Sequence, residues 1–166
     1  MVKNFIYYGK FDKWDYSTII IYLLLTIFIY ERPEGIPYIR EWVFGYSFMT
    51  SLLLYGLNYK SMRKFNVWLV WFGFSIIHLF MYNHLSDDIS LKFLKGSAEN
   101  GLQFTWILLL LFQLNRFVSL KLQNKEVVSL NTGGTTDMWD NRKITFLDGV
   151  LFFLYLGVFF FLGFWV

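Results

Sequence analysis

At 166 residues, with 56% hydrophobic and 23% aromatic side chains and a mean hydropathy of +0.44, the chain carries more apolar surface than a water-soluble domain of its size can cover. Fifteen Lys and Arg against twelve Asp and Glu leave a net charge of +3, which in so apolar a chain reads as membrane topology and only poorly as a nucleic-acid surface. There is no cysteine, which excludes disulfides and thiolate metal sites.

The segment MVKNFIYYGKFDKWDY that opens the chain has the pattern of neither a transit peptide nor a cleaved signal peptide. Five stretches then read as membrane spans, at 16–30, 42–59, 65–85, 101–120 and 144–166, the first two being short. The connections carry turn chemistry: ERPEGIPYIRE at 31–41 holds both prolines, NYKSMRK at 58–64 is basic, and SDDISLKFLKGSAEN at 86–100 starts acidic. The polar loop 121–143 includes Gly133-Gly134 and a Thr/Asn cluster suited to an extramembrane excursion. The expected architecture is all-α: one membrane domain, 1–166, built as a bundle of about five transmembrane helices.

Five alternating spans divide the cations unevenly. One side receives eleven Lys and Arg, from the N-terminus and the second and fourth loops; the other receives Arg32, Arg40, Lys92 and Lys95. Six acids (Glu31, Glu34, Glu41, Asp87, Asp88 and Glu99) fall on that second side. The positive-inside rule then puts the N-terminus on the matrix or cytoplasmic face and the C-terminus opposite.

Within the spans few residues can do chemistry. Asp148 is the one acid in the last span, ITFLDGVLFFLYLGVFFFLGFWV, which at 1.5 Å per residue makes a helix of about 34 Å. An acid there points to function by default. Its place near the helix start equally suits an interfacial first-turn acid that complements the helix dipole. His78 and His84 share the third span, but six residues place their rings about 120° apart, so they do not serve one metal. His84 is expected at the interface beside Asp87 and Asp88, and His78 in a hydrogen bond inside the bundle. The other reading of His78 is as a haem ligand. Arg116 closes the fourth span and is expected to snorkel to the headgroups. Trp14, Trp42, Trp68, Trp71, Trp106, Trp165, Tyr16, Tyr30 and Tyr59 read as interfacial belts, and Gly73, Gly149, Gly157 and Gly163 as points of close helix contact.

One alanine against 20 Phe and 11 Tyr points to an extremely AT-rich genome, since Ala codons are GC-rich and Phe and Tyr codons AT-rich. An organelle genome fits best.

The run Phe146-Leu147-Asp148-Gly149-Val150-Leu151-Phe152-Phe153-Leu154-Tyr155 resembles the final helix of subunit III of the haem-copper oxidases. Thr145 and Gly149 stand where that family has His and Val. Asn100-Gly101-Leu102-Gln103 is similar to the opening of its penultimate span, which likewise ends in an Arg like Arg116, and Tyr82-Asn83-His84-Leu85 to the end of the preceding one. The resemblance implies the last five helices of a seven-helix subunit, without its first two. It implies a protein that does no chemistry itself, has no cofactor of its own, binds phospholipid (cardiolipin among the candidates), packs on the catalytic subunit and supports proton uptake in the mitochondrial inner membrane. The family's carboxylate in the first of these spans has no counterpart in Ser17 to Tyr30. Three other classes stand beside this reading. One is a succinate dehydrogenase anchor with a haem or quinone site, because His84-Leu-Ser-Asp-Asp88 resembles its anchor helices. Another is an accessory or split core subunit of complex I or the ATP synthase. The last is a carrier or channel, against which the missing paired charges and inverted repeat weigh.

Overall fold

The computed structural model describes residues 5–32, 36–129 and 142–165. Five long helices form the bundle: α1 (Lys13–Glu31), α2 (Ile39–Gly56), α4 (Phe65–Leu85), α5 (Thr105–Gln123) and α6 (Phe146–Trp165). The basic 58–64 turn contains a single helical turn, α3 (Tyr59–Met62), and the 86–100 connection ends in a 3₁₀ turn, Asn100–Phe104. No strand occurs among the described residues; Lys92 and Ser97 form an isolated antiparallel bridge. Gly133 and Gly134 lie outside the described residues.

Among the described residues four helices are long and apolar enough to cross a membrane: α1, α4, α5 with its leading 3₁₀ turn, and α6. The chain is an all-α, multi-pass membrane protein. The expected second span is present as α2 but is less apolar. Its polar residues Tyr46, Ser47, Thr50 and Ser51 recur at helical spacing on one stripe and are all buried. The departure from the expected span thus reflects polar groups used inside the bundle.

Neighbouring helices run antiparallel, as their end-to-end contacts show. Trp14 at the start of α1 donates to Asn58 beyond the end of α2 (3.0 Å), and Gln123 at the end of α5 donates to Asp148 at the start of α6 (2.9 Å). One end of the bundle, the basic end, therefore gathers the starts of α1, α4 and α6 with the ends of α2 and α5. The apolar core joins Tyr55, Trp68, Trp71, Phe74, Phe112 and Phe159.

Expectations about several aromatic and glycine residues are corrected. Trp68, Trp71 and Tyr59 are core residues, with Trp68 Nε1 donating to the Leu109 carbonyl (3.1 Å). Gly73, Gly149 and Gly157 would meet nothing within 4 Å if given a Cβ, and Gly163 only a ring atom of Phe48 at 3.5 Å. The close approach is instead at Gly101, where a Cβ would lie 3.0 Å from the backbone carbonyl of Ser47.

Candidate functional site

The polar interior begins with two identical spacings, Tyr22-x-x-x-Thr26 on α1 and Tyr46-x-x-x-Thr50 on α2. Each threonine hydroxyl reaches its own helix's tyrosine carbonyl, at 2.8 Å for Thr26 and 2.5 Å for Thr50. Each also meets the other helix's phenol, Thr26 with Tyr46 and Thr50 with Tyr22, both at 2.7 Å. A carbonyl has no proton to give, so each threonine donates to it and must accept from the tyrosine. Both phenol oxygens then face His78 Nε2 as acceptors, at 2.9 Å from Tyr22 and 2.8 Å from Tyr46. Nε2 therefore carries the proton, and Nδ1 accepts from Thr105 Oγ1 at 3.0 Å.

His78 is fully buried. Its ring ties α1, α2, α4 and α5 at one level with every donor placed. Its single lone pair is already engaged, so ligating a haem iron would require breaking the Thr105 bond. The hydroxyl chain ends on backbone carbonyls, which accept but do not relay protons. This cluster is a lock.

The basic end holds a second set of buried polar groups. At the start of α1, Asp12 and Asp15 form a capping box, each side chain accepting from the other's backbone N–H at 2.9 and 2.8 Å. Asp15 is fully buried and paired with Lys64, which precedes α4 and also binds Asp12 at 3.0 Å. Burial works to lower the Lys64 pKa, but hydrogen bonds and charge from Asp15 and Asp12 outweigh it and raise the pKa. The same device recurs at α6. Thr145 and Asp148 exchange capping bonds at 3.3 and 2.8 Å, and Asp148 is paired with Arg142 at 2.7 Å. The Asp148 oxygens accept from Arg142, from Gln123 Nε2 and from the Thr145 backbone N–H, while the single Thr145 hydroxyl proton is shared between Asp148 and Gln123 Oε1, both at 2.8 Å.

Arg116 departs most from expectation. It is fully buried, forks onto Glu126 at 2.8 and 3.0 Å, and donates to the Phe5 carbonyl at 2.5 Å. The Phe5 ring stacks 5.3 Å from its guanidinium. Snorkelling fails because the chain reverses at Asn124 (φ 52°) and returns Glu126 over the end of α5, giving the charge a partner inside.

His84 is exposed at the opposite end, 5.2 Å ring to ring from Tyr30, with Asp87 and Asp88 following it. The structure thus assembles Asp148 and Arg116 at one end and leaves His78 and His84 apart from them. Sequence reasoning missed Asp15 and Lys64, although Asp12-x-x-Asp15 ahead of an apolar run is a readable capping signal. It also missed the paired Tyr-x-x-x-Thr spacings. Among the described residues no three His, Asp or Glu converge as a metal site. No protein-family model, curated protein or solved structure matches the chain.

Proposed function

We propose that this chain is a non-catalytic membrane subunit of a mitochondrial respiratory-chain complex, similar to subunit III of cytochrome c oxidase. Its work is mechanical: it buttresses the catalytic subunit, associates with phospholipid and supports proton uptake. The setting is the inner membrane, with the basic end in the matrix.

Asp148 is the observation that carries this reading. The segment bearing the resemblance is also the one whose acid is buried at the junction of the last two helices, bound by Gln123 of α5 and by Arg142. Loss of that acid would loosen α6 from α5 and deform the outer apolar face, where Phe153, Leu154 and Phe161 are exposed for a partner or for acyl chains. The Arg142 side chain is 20% exposed, so the pair also meets the surface where protons would be collected.

The test is to express Asp148→Asn in place of the wild-type chain. Removing the charge from this hydrogen-bonded pair costs about 2 kcal/mol by general experience. The expected result is normal insertion, a lower yield of assembled oxidase and a decline in sustained turnover. Wild-type assembly and turnover would contradict the proposal.

A further inference from the structure

At the end of the bundle opposite the basic one, Arg32 pairs with Asp88 and Arg40 with Glu41. Lys92 and Lys95 make no ion pair among the described residues, and both are exposed on one short hairpin, 92–97. That hairpin is well ordered by its own bonds. Its ends meet in the Lys92–Ser97 bridge, and Phe93 N donates to the Gly96 carbonyl at 3.1 Å. Gly96 takes the left-handed conformation (φ 77°) that its missing Cβ permits. Arg40 stacks 4.8 Å from the Phe93 ring, and Phe44 of α2 meets the same ring edge-on at 5.6 Å. At the tip Leu94 is fully exposed.

The same end carries the opposite chemistry on α1 and α4. Glu31 closes α1 and Asp87 follows α4; both are exposed and make no ion pair among the described residues. One step toward the membrane, the rings of Tyr30 and Phe80 are exposed on these two helices. The His78–Tyr46 hydrogen bond sets a common height for α4 and α2. Phe80 stands two residues after His78 and Phe44 two before Tyr46. Because the two helices run antiparallel, both lie about 3 Å from that bond toward this end. The hairpin ring that rests on Phe44 is therefore level with Phe80, although the two sit on different elements.

We infer that the 92–97 hairpin of one copy docks on the α1–α4 face of a second copy of this chain in the same membrane. Leu94 lies against Tyr30 and Phe80, and Lys92 and Lys95 meet Glu31 and Asp87. Two hairpins facing each other would oppose four ammonium groups, so the contact is head-to-tail and joins copies in a row or ring. Lipid tails cover Phe80 as readily as a leucine does, so packing alone selects no partner and the charges fix the pairing. Exposed ion pairs are individually weak, and the contact depends on copies held at one height and one orientation by the bilayer. The inference goes beyond the subunit reading above and needs only that copies share one membrane.

The chain has no cysteine, so introduced ones report without background. Two full-length copies with different tags, one Leu94→Cys and one Phe80→Cys, are expressed together and oxidised in their own membranes. A disulfide needs the two Cβ atoms about 4 Å apart, so it registers the contact itself. The expected product is a disulfide between the two tags, at least tenfold above that from Leu94→Cys alone. Adding Lys92→Glu and Lys95→Glu to the Leu94→Cys copy lowers its yield about tenfold. Adding Glu31→Lys and Asp87→Lys to the Phe80→Cys copy restores it, a rescue that a merely misfolded variant would not give. Absence of the mixed disulfide, as for a hairpin resting on lipid alone, overturns the inference. So does an equal yield from Leu94→Cys alone, a yield indifferent to the charge reversal, or a reversal that the exchange fails to restore. Oxidase assembly is not read in this assay, so its failure is separate from failure of the subunit reading.

Discussion

Arg116 and Glu126 meet as a two-pronged ion pair, Nε to Oε2 at 2.8 Å and Nη2 to Oε1 at 3.0 Å, across the reversal of chain that follows α5. The arginine is fully buried, while the Glu126 side chain is 13% exposed. Breaking such a pair by removing one partner leaves an uncompensated buried charge, at a cost of about 3 kcal/mol or more. Replacing both partners by apolar residues removes that penalty. Thermal unfolding in detergent should therefore rank Glu126→Gln well below the wild type and the double variant Arg116→Met, Glu126→Met above Glu126→Gln. A double variant no more stable than the single one would mean the pair does not act as a unit.

The reciprocal Tyr–Thr exchange around His78 predicts a tautomer. Nitrogen NMR of the chain labelled at histidine should show a protonated Nε2 and an accepting Nδ1 for His78. Tyr22→Phe and Tyr46→Phe each remove one phenol from the exchange, so each should destabilise by about 1 kcal/mol through a lost buried hydrogen bond. A proton found on Nδ1 would refute the assignment.

Much of the architecture was legible because apolar length alone marks a span. Helices α4 and α6 lie close to the expected 65–85 and 144–166. Helix α1 begins earlier than expected, at Lys13, because the Asp12–Asp15 capping box sets its start and tolerates charge that a hydropathy reading treats as loop. The candidate site was less legible. Arg116 looks like a snorkelling residue until the chain turns at Asn124 and brings Glu126 back, a tertiary event with no local signature. Lys64 and Asp15 are 49 residues apart and give no hint of pairing. His78, by contrast, lies where an interior hydrogen-bonding histidine was expected, although its partners had gone unnoticed at Tyr22, Tyr46 and Thr105.

Gly101 packs the 3₁₀ turn at Asn100–Phe104 against α2. Its missing side chain lets the turn approach Ser47, whose hydroxyl donates to the Ala98 carbonyl at 2.6 Å. Gly101→Ala would force a Cβ to 3.0 Å from the Ser47 backbone, which cannot swing aside as a side chain can. Overpacking of this kind costs about 1–3 kcal/mol. Thermal unfolding should detect it, whereas Gly73→Ala, which enters open space, should be near neutral.

Acid should loosen the N-terminal arm in a defined window. The Asp12 carboxyl is held below its usual range, first by the Asp15 backbone N–H and later by Lys64, despite its partial burial. A depressed folded-state value means the stabilisation is complete above the unfolded value, about 3.9, and is lost as pH falls through the folded one. Fluorescence of Trp14, two residues on, should be flat from pH 7 to 5 in an Asp12-dependent manner and change below about 4. An Asp12-dependent change complete by pH 5 would contradict this.

The role proposed for the chain is that of a resident buttress in an oxygen-reducing complex. Its most direct test is quantitative mass spectrometry of cytochrome c oxidase purified from the organism's inner membranes. The account predicts one copy of this chain for each catalytic subunit, retained through the purification. A complete, active oxidase that lacks the polypeptide would contradict it.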